Sequence, residues 1–114
     1  MTPGDDGGAS GLDRLVHEPA RLAIMTSLFV VESADATWLL QQTGLTWGNL
    51  ASHLGKLEEG GYVSVTKSFK GRKPQTMLSL TSAGRDALLT YRERMLGALS
   101  PLEAKGGRRR RPRA

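Results

Sequence analysis

Four side chains capable of specific polar contacts recur at helical spacing in the middle of the chain: Asn49, Ser52, His53 and Lys56. At about 100° per residue they share one face, while Leu50, Leu54 and Leu57 fall on the opposing stripe with Trp47 at its edge. One side packs and the other offers hydrogen bonds. No acid joins the polar face before Glu58 and Glu59 at its far end, which is unusual for a face that only has to stay wet, and such a face suits nucleic acid. His53 has a second reading, as a structural residue bonded toward the next strand. Catalysis is poorly supported. Ser52 and His53 are consecutive, so on a helix they point about 100° apart and cannot form a nucleophile–base pair. His17 and His53, without cysteine or an acidic cluster, do not make a metal site, and there is no phosphate-binding glycine motif. No enzyme activity, metal or cofactor is expected.

The elements that must position this face are marked by their caps. Gly44 suits a left-handed C-cap, Leu45 can plug the corner, and Thr46 can cap helix 46–60 through the N–H of Asn49. Before them, Asp35 is the expected N-cap of helix 36–43, whose Trp38, Leu39 and Leu40 supply core. The spacing predicts helix, tight turn, helix. Residues 12–31 form a first helical region opened by Asp13 and interrupted at Pro19, which forces Glu18 out of helical geometry and can start a new helix. Its core stripe is Leu22, Met25, Leu28 and Phe29, but Ala20, Ala23, Ile24, Val30 and Val31 spread apolar surface round more than half its circumference.

After Gly60 and Gly61, residues 62–69 and 75–81 alternate as strands do, Val63 and Val65 with Ser64 and Thr66, Leu78 and Leu80 with Ser79. Between them Lys70, Gly71, Arg72, Lys73 and Pro74 describe a cationic hairpin tip, with the proline blunting pairing. Three cations about one glycine fit a phosphate clamp, to which Lys67 can add. Thr81 is the expected cap of a last helix, 82–99, with Leu88, Tyr91, Met95 and Leu99 on one side and Ser100-Pro101 as its stop. The surplus apolar surface on the first and last helices points to a second subunit.

A chain of 114 residues with 39% apolar residues has room for one domain and one modest core. The expected division is a flexible arm over 1–11, a folded domain over 12–99 and a disordered basic tail over 100–114. Residues 1–45 hold six acids against two bases, 46–73 five bases against two acids, and 105–114 six bases and no acid. Clustered cations of this kind suit a polyanion. The lack of cysteine fits a reducing compartment, and no run is long enough to span a membrane, so a cytoplasmic location is expected.

The order helix, helix, turn, helix, basic-tipped hairpin, helix resembles the winged helix-turn-helix transcriptional regulators of the broad MarR/ArsR type, closest to a small single-domain group. The resemblance is carried by Gly44, Leu45, Thr46, Gly48, Asn49, Leu50, His53, Leu54, Lys56, Leu57, Glu58, Gly61, Tyr62 and Val63. Gly71, Arg72, Lys73 and Pro74 continue it at the wing, and Leu80, Thr81, Gly84 and Arg85 at the entry to the last helix. It implies a mainly α fold with a small β-hairpin: a three-helix core, a wing and a C-terminal dimerisation helix. It also implies a homodimer in which helix 46–60 enters the major groove of double-stranded DNA and wing 67–75 touches the flanking backbone or minor groove. Thr46, Trp47, Asn49, Ser52, His53 and Lys56 are the expected helix contacts, and Lys67, Lys70, Arg72 and Lys73 the wing contacts. Leu22, Met25, Phe29, Leu88, Tyr91, Met95 and Leu99 are the expected subunit face. A small-molecule effector is a further partner that the residues do not specify. The rival readings are a basic winged-helix module for RNA or a ribosomal surface, and a protein-interaction module.

Overall fold

The computed structural model describes residues 11–104. In chain order the elements are α1 (Pro19–Phe29), β1 (Ala34–Asp35), α2 (Ala36–Thr43), α3 (Trp47–Glu59), β2 (Val63–Lys70), β3 (Lys73–Leu80) and α4 (Ser82–Ala104). This is the winged helix arrangement expected from the sequence, with one more strand.

Caps set most of the boundaries. Glu18 is extended and accepts the N–H of Arg21 at 2.7 Å, so the residue that Pro19 excludes from the helix becomes its N-cap. Asp35 accepts the N–H of Trp38 at 2.7 Å, and Thr46 that of Asn49 at 3.2 Å, both as expected. Gly44 closes α2 at φ 71°, a left-handed conformation that a residue with a Cβ adopts only at a cost. Thr81 accepts the N–H of Gly84 and donates its hydroxyl to the carbonyl of Gly61, tying the start of α4 to the end of α3.

The sheet order is β1-β3-β2, all antiparallel. Two features of it differ from the sequence reading. Ala34 and Asp35, read as a break and a cap, also pair with Leu78 and Met77, so a third strand closes the inner edge of the wing. The hairpin is tighter than expected: Phe69 pairs with Pro74 and Lys70 with Lys73, which leaves Gly71 and Arg72 as a two-residue turn. Pro74 near the start of its strand is tolerated there.

The core is built from Ile24, Met25 and Leu28 of α1, Leu39 of α2, Leu50 and Leu57 of α3, Val63 and Leu78 of the hairpin, and Leu88 and Tyr91 of α4, closed by Leu12 and Val16. Residues 11–18 hold the short turn expected before the helix at Pro19 and act as a clasp. The Asp13 carboxylate accepts the Tyr62 hydroxyl, and His17 Nδ1 lies 2.7 Å from the Tyr91 hydroxyl, pinning the segment to the hairpin and to α4. At Gly84 an added Cβ would run into the carbonyl oxygen of Tyr62, so only glycine lets α4 approach β2 this closely.

The last helix passes through its expected stop. Pro101 lies inside α4 and cannot bond the Gly97 carbonyl four residues back, but the Ser100 hydroxyl donates to that oxygen at 3.0 Å. Residues 100–104 of the expected tail are therefore helical; its remainder, with the arginine run, and residues 1–10 of the expected arm lie outside the described residues.

Candidate nucleic-acid interface

The core side of α3 is set by Leu50 and Leu57, both almost wholly buried one heptad apart. Turning about 100° per residue from that direction, the outward face falls on Gly48, Ala51, Ser52, Gly55 and Glu59, all exposed. Asn49 and Lys56 flank it on one side. A Cβ placed at Gly48 or Gly55 would meet nothing within 4 Å, so this face is a smooth ridge of backbone and small side chains with polar groups along one edge. Such a ridge can sit deep in a groove. The expected polar face is thus present but rotated; Gly48 and Gly55 at its centre were not among the expected contacts, and Glu59 closes it at the C-terminal end. The signal for them was the seven-residue spacing of Leu50 and Leu57, which fixes the phase of the helix.

Of the expected helix contacts, Thr46, Trp47, Asn49, Ser52 and Lys56 are exposed. His53 is only partly exposed. It sits beside the leucine stripe, with its Nδ1 edge toward α1, 3.2 Å from Arg21 Nη1 and 3.8 Å from Glu18 Oε1. Burial opposes the charged form of Glu18. The hydrogen bond from the Arg21 N–H, with the Arg21 guanidinium nearby, more than offsets it and holds the carboxyl below the usual carboxylate range.

The wing cations Lys67, Lys70, Arg72 and Lys73 are all exposed. Lys70 and Lys73 also line a cleft of about 300 Å³ with Trp47, Asp35 and Gln75, which places the distal end of the wing beside the start of α3. Asp35 is the acid in that cleft, and its carboxylate is engaged by the Trp38 N–H and, at 3.4 Å, by the Gln75 side chain. Trp47 of α3 and Lys70 and Lys73 of the wing therefore border one cleft.

A second surface lies at the other end. An apolar cleft of about 370 Å³ runs between α1 and α4, lined by Leu22, Phe29, Leu88, Tyr91, Met95 and Leu96 among others. Val30, Leu89, Leu96, Leu99 and Leu102 are exposed around and beyond it. The expected subunit face needs one correction: Met25 is fully buried in the protomer's own core. Leu88 and Tyr91 are largely buried at the floor of the cleft, whereas Leu96 and Leu102 stand out from it. No group of three or more metal-ligating side chains occurs among the described residues, and none of their helices is long and apolar enough to cross a membrane.

The winged helix DNA-binding domain family matches residues 20–98, from the second residue of α1 through most of α4. The chain belongs to this family. Winged helix members share the corner of α2 and α3 and the β2–β3 wing described above. The chain is 33% identical over 78 residues, 68% of its length and 85% of the relative's, to an uncharacterized protein of Methanocaldococcus jannaschii. Among solved structures it is similar to a transcriptional regulator homologue from Pyrococcus horikoshii, with 28% identity, a TM-score of 0.73, and coverage of 77% of this chain and 87% of that one. The PcaV transcriptional regulator of Streptomyces coelicolor shares the fold at 20% identity and a TM-score of 0.67, covering 84% and 72% of the two chains. The winged helix fold expected from the sequence is thus shown.

Proposed function

We propose that this winged helix chain is a sequence-specific, double-stranded DNA-binding transcriptional regulator that acts as a cytoplasmic homodimer. In this reading α3 enters the major groove and the wing lies on the flanking backbone or minor groove. The observation that carries it is the proximity of α3 and the wing: an outward ridge with no acid before Glu58, edged by Asn49, Ser52 and Lys56, whose start at Trp47 borders a cleft with the exposed Lys70 and Lys73. Ser52 and Asn49 are the groups for base edges, and Lys56 and the wing cations the groups for phosphates. The dimer rests on the α1–α4 cleft and the leucines beyond it, which a lone protomer leaves in water. The same cleft is the place where an apolar effector would act.

The test is selection of bound sequences from a random duplex pool, with RNA as competitor. A dimeric reader selects two half-sites about one helical turn apart, roughly 10 base pairs. Replacing Ser52 or Asn49 by alanine should relax preference at one or two positions in each half-site, by about 1 to 3 kcal/mol per lost bidentate contact. Equal retention on RNA, or no selected sequence, would sink the proposal.

A further inference from the structure

Arg21 and His53 join α1 to α3 through a contact that the reading above does not use. The Arg21 guanidinium is held on two sides: Nε donates to the Leu15 carbonyl at 2.7 Å, and Nη1 lies 3.2 Å from His53 Nδ1. A guanidinium has donors only, so the second contact is a hydrogen bond only when Nδ1 carries no proton and accepts; Glu18 Oε1, 3.8 Å from the same nitrogen, is beyond hydrogen-bond reach and does not take a proton from it. The ring proton then sits on Nε2, which has no hydrogen-bond partner among the described residues. The His53 side chain keeps 21% of its surface open to solvent, and the exposed Lys56 follows one turn further along α3.

We infer that Arg21 is a positioning residue that locks His53 as the neutral Nε2–H tautomer, so that α3 offers a fixed N–H donor to a phosphate oxygen of DNA along its α1 edge. This rests on the DNA-binding reading. Phosphate is the acceptor because His53 lies beside the packed stripe, off the outward ridge that would meet base edges and on the side shared with Lys56. Arg21 itself has its guanidinium engaged within the protomer, so its role is to orient the imidazole. The neighbouring Leu22 lines the apolar cleft, and the link therefore ties the helix of the subunit face to the helix of the DNA face.

Nitrogen NMR of the full chain, labelled in its histidines and free of DNA, reads the tautomer directly. We expect His53 protonated on Nε2 alone, with that preference lost in Arg21→Met; a wild-type ring protonated on Nδ1 overturns the inference whatever happens to DNA binding. On a mixed-sequence duplex, Arg21→Met and His53→Ala should each weaken binding about two- to tenfold, and the double variant no more than either alone. Additive losses would mean that the two residues act separately. Arg21→Lys keeps the charge but lacks the forked donors, so it should bind as weakly as Arg21→Met, while full affinity would reduce Arg21 to a point charge and overturn the positioning role. It also serves if circular dichroism shows the methionine variant unfolded. A wild-type chain with the Nε2–H tautomer and no affinity for duplex would remove the donor role through failure of the DNA reading, leaving the tautomer standing.

Discussion

Lys70 and Lys73 stand directly opposite each other on the last rung of the β2–β3 ladder, joined by the two-residue turn at Gly71 and Arg72. Like charges in that position repel, and neither lysine has an ion-pair partner among the described residues. The hairpin carries this local cost at the point where it would meet DNA, and a phosphate between the two ammonium groups would turn the repulsion into attraction.

Lys70→Thr should therefore stabilise the fold by about 0.2 to 1 kcal/mol while weakening duplex binding. Thermal unfolding and a binding titration read the two effects separately. Replacing Lys70, Arg72 and Lys73 together by alanine should flatten the salt dependence of binding by up to about 0.9 log units per lost phosphate contact. An unchanged slope would take the wing out of the interface.

Gly55 offers a cleaner separation of stability from function. Its Cβ position is open, so Gly55→Ala should raise helix stability by up to about 1 kcal/mol. If the outward ridge lies against a groove, the same methyl lowers affinity. A variant that melts higher and binds DNA as well as the wild type would show that α3 does not approach closely along this face.

The cleft between α1 and α4 predicts a dimer in solution. Leu96 is 52% and Leu99 45% exposed, so glutamates at both positions should leave the protomer fold intact and produce monomers. Light scattering at micromolar concentration, with circular dichroism as the fold control, is the measurement. A wild-type chain that is already monomeric counts against the dimer.

Tyr62 predicts a loss of stability in alkali. Burial, and then the bond to Asp13, push its phenol up to about 12 from 10.0. The unfolded chain ionises first, so this contribution is complete below pH 10 and is lost as pH rises toward 12. Tyr62→Phe should be less stable at neutral pH by about 0.5 to 1.5 kcal/mol, through loss of the hydrogen bond, yet decline less steeply in alkali. Unfolding midpoints across that range, with the tyrosinate absorption as a direct titration, decide it.

What the amino-acid sequence determined by itself was what is written within a few residues. Asp35, Gly44, Thr46 and Thr81 end or begin helices because the capping atom and the backbone group it satisfies are near neighbours, so their roles are legible in the sequence alone. Alternation placed the hairpin, and the family resemblance placed the elements in one fold. Tertiary structure decided which side of each element faces what. The strand at Ala34 and Asp35 has no pattern of its own and exists because β3 passes beside it. Met25 and Leu96 are both apolar helix residues, yet the protomer's own core covers the first completely and leaves the second half exposed. His53 shares the polar side of α3 by spacing, but α1 packs close enough for Arg21 to claim it. Spacing along a helix limits the faces it can present; the neighbours that desolvate one of them belong to distant parts of the chain, and only the packed structure names them.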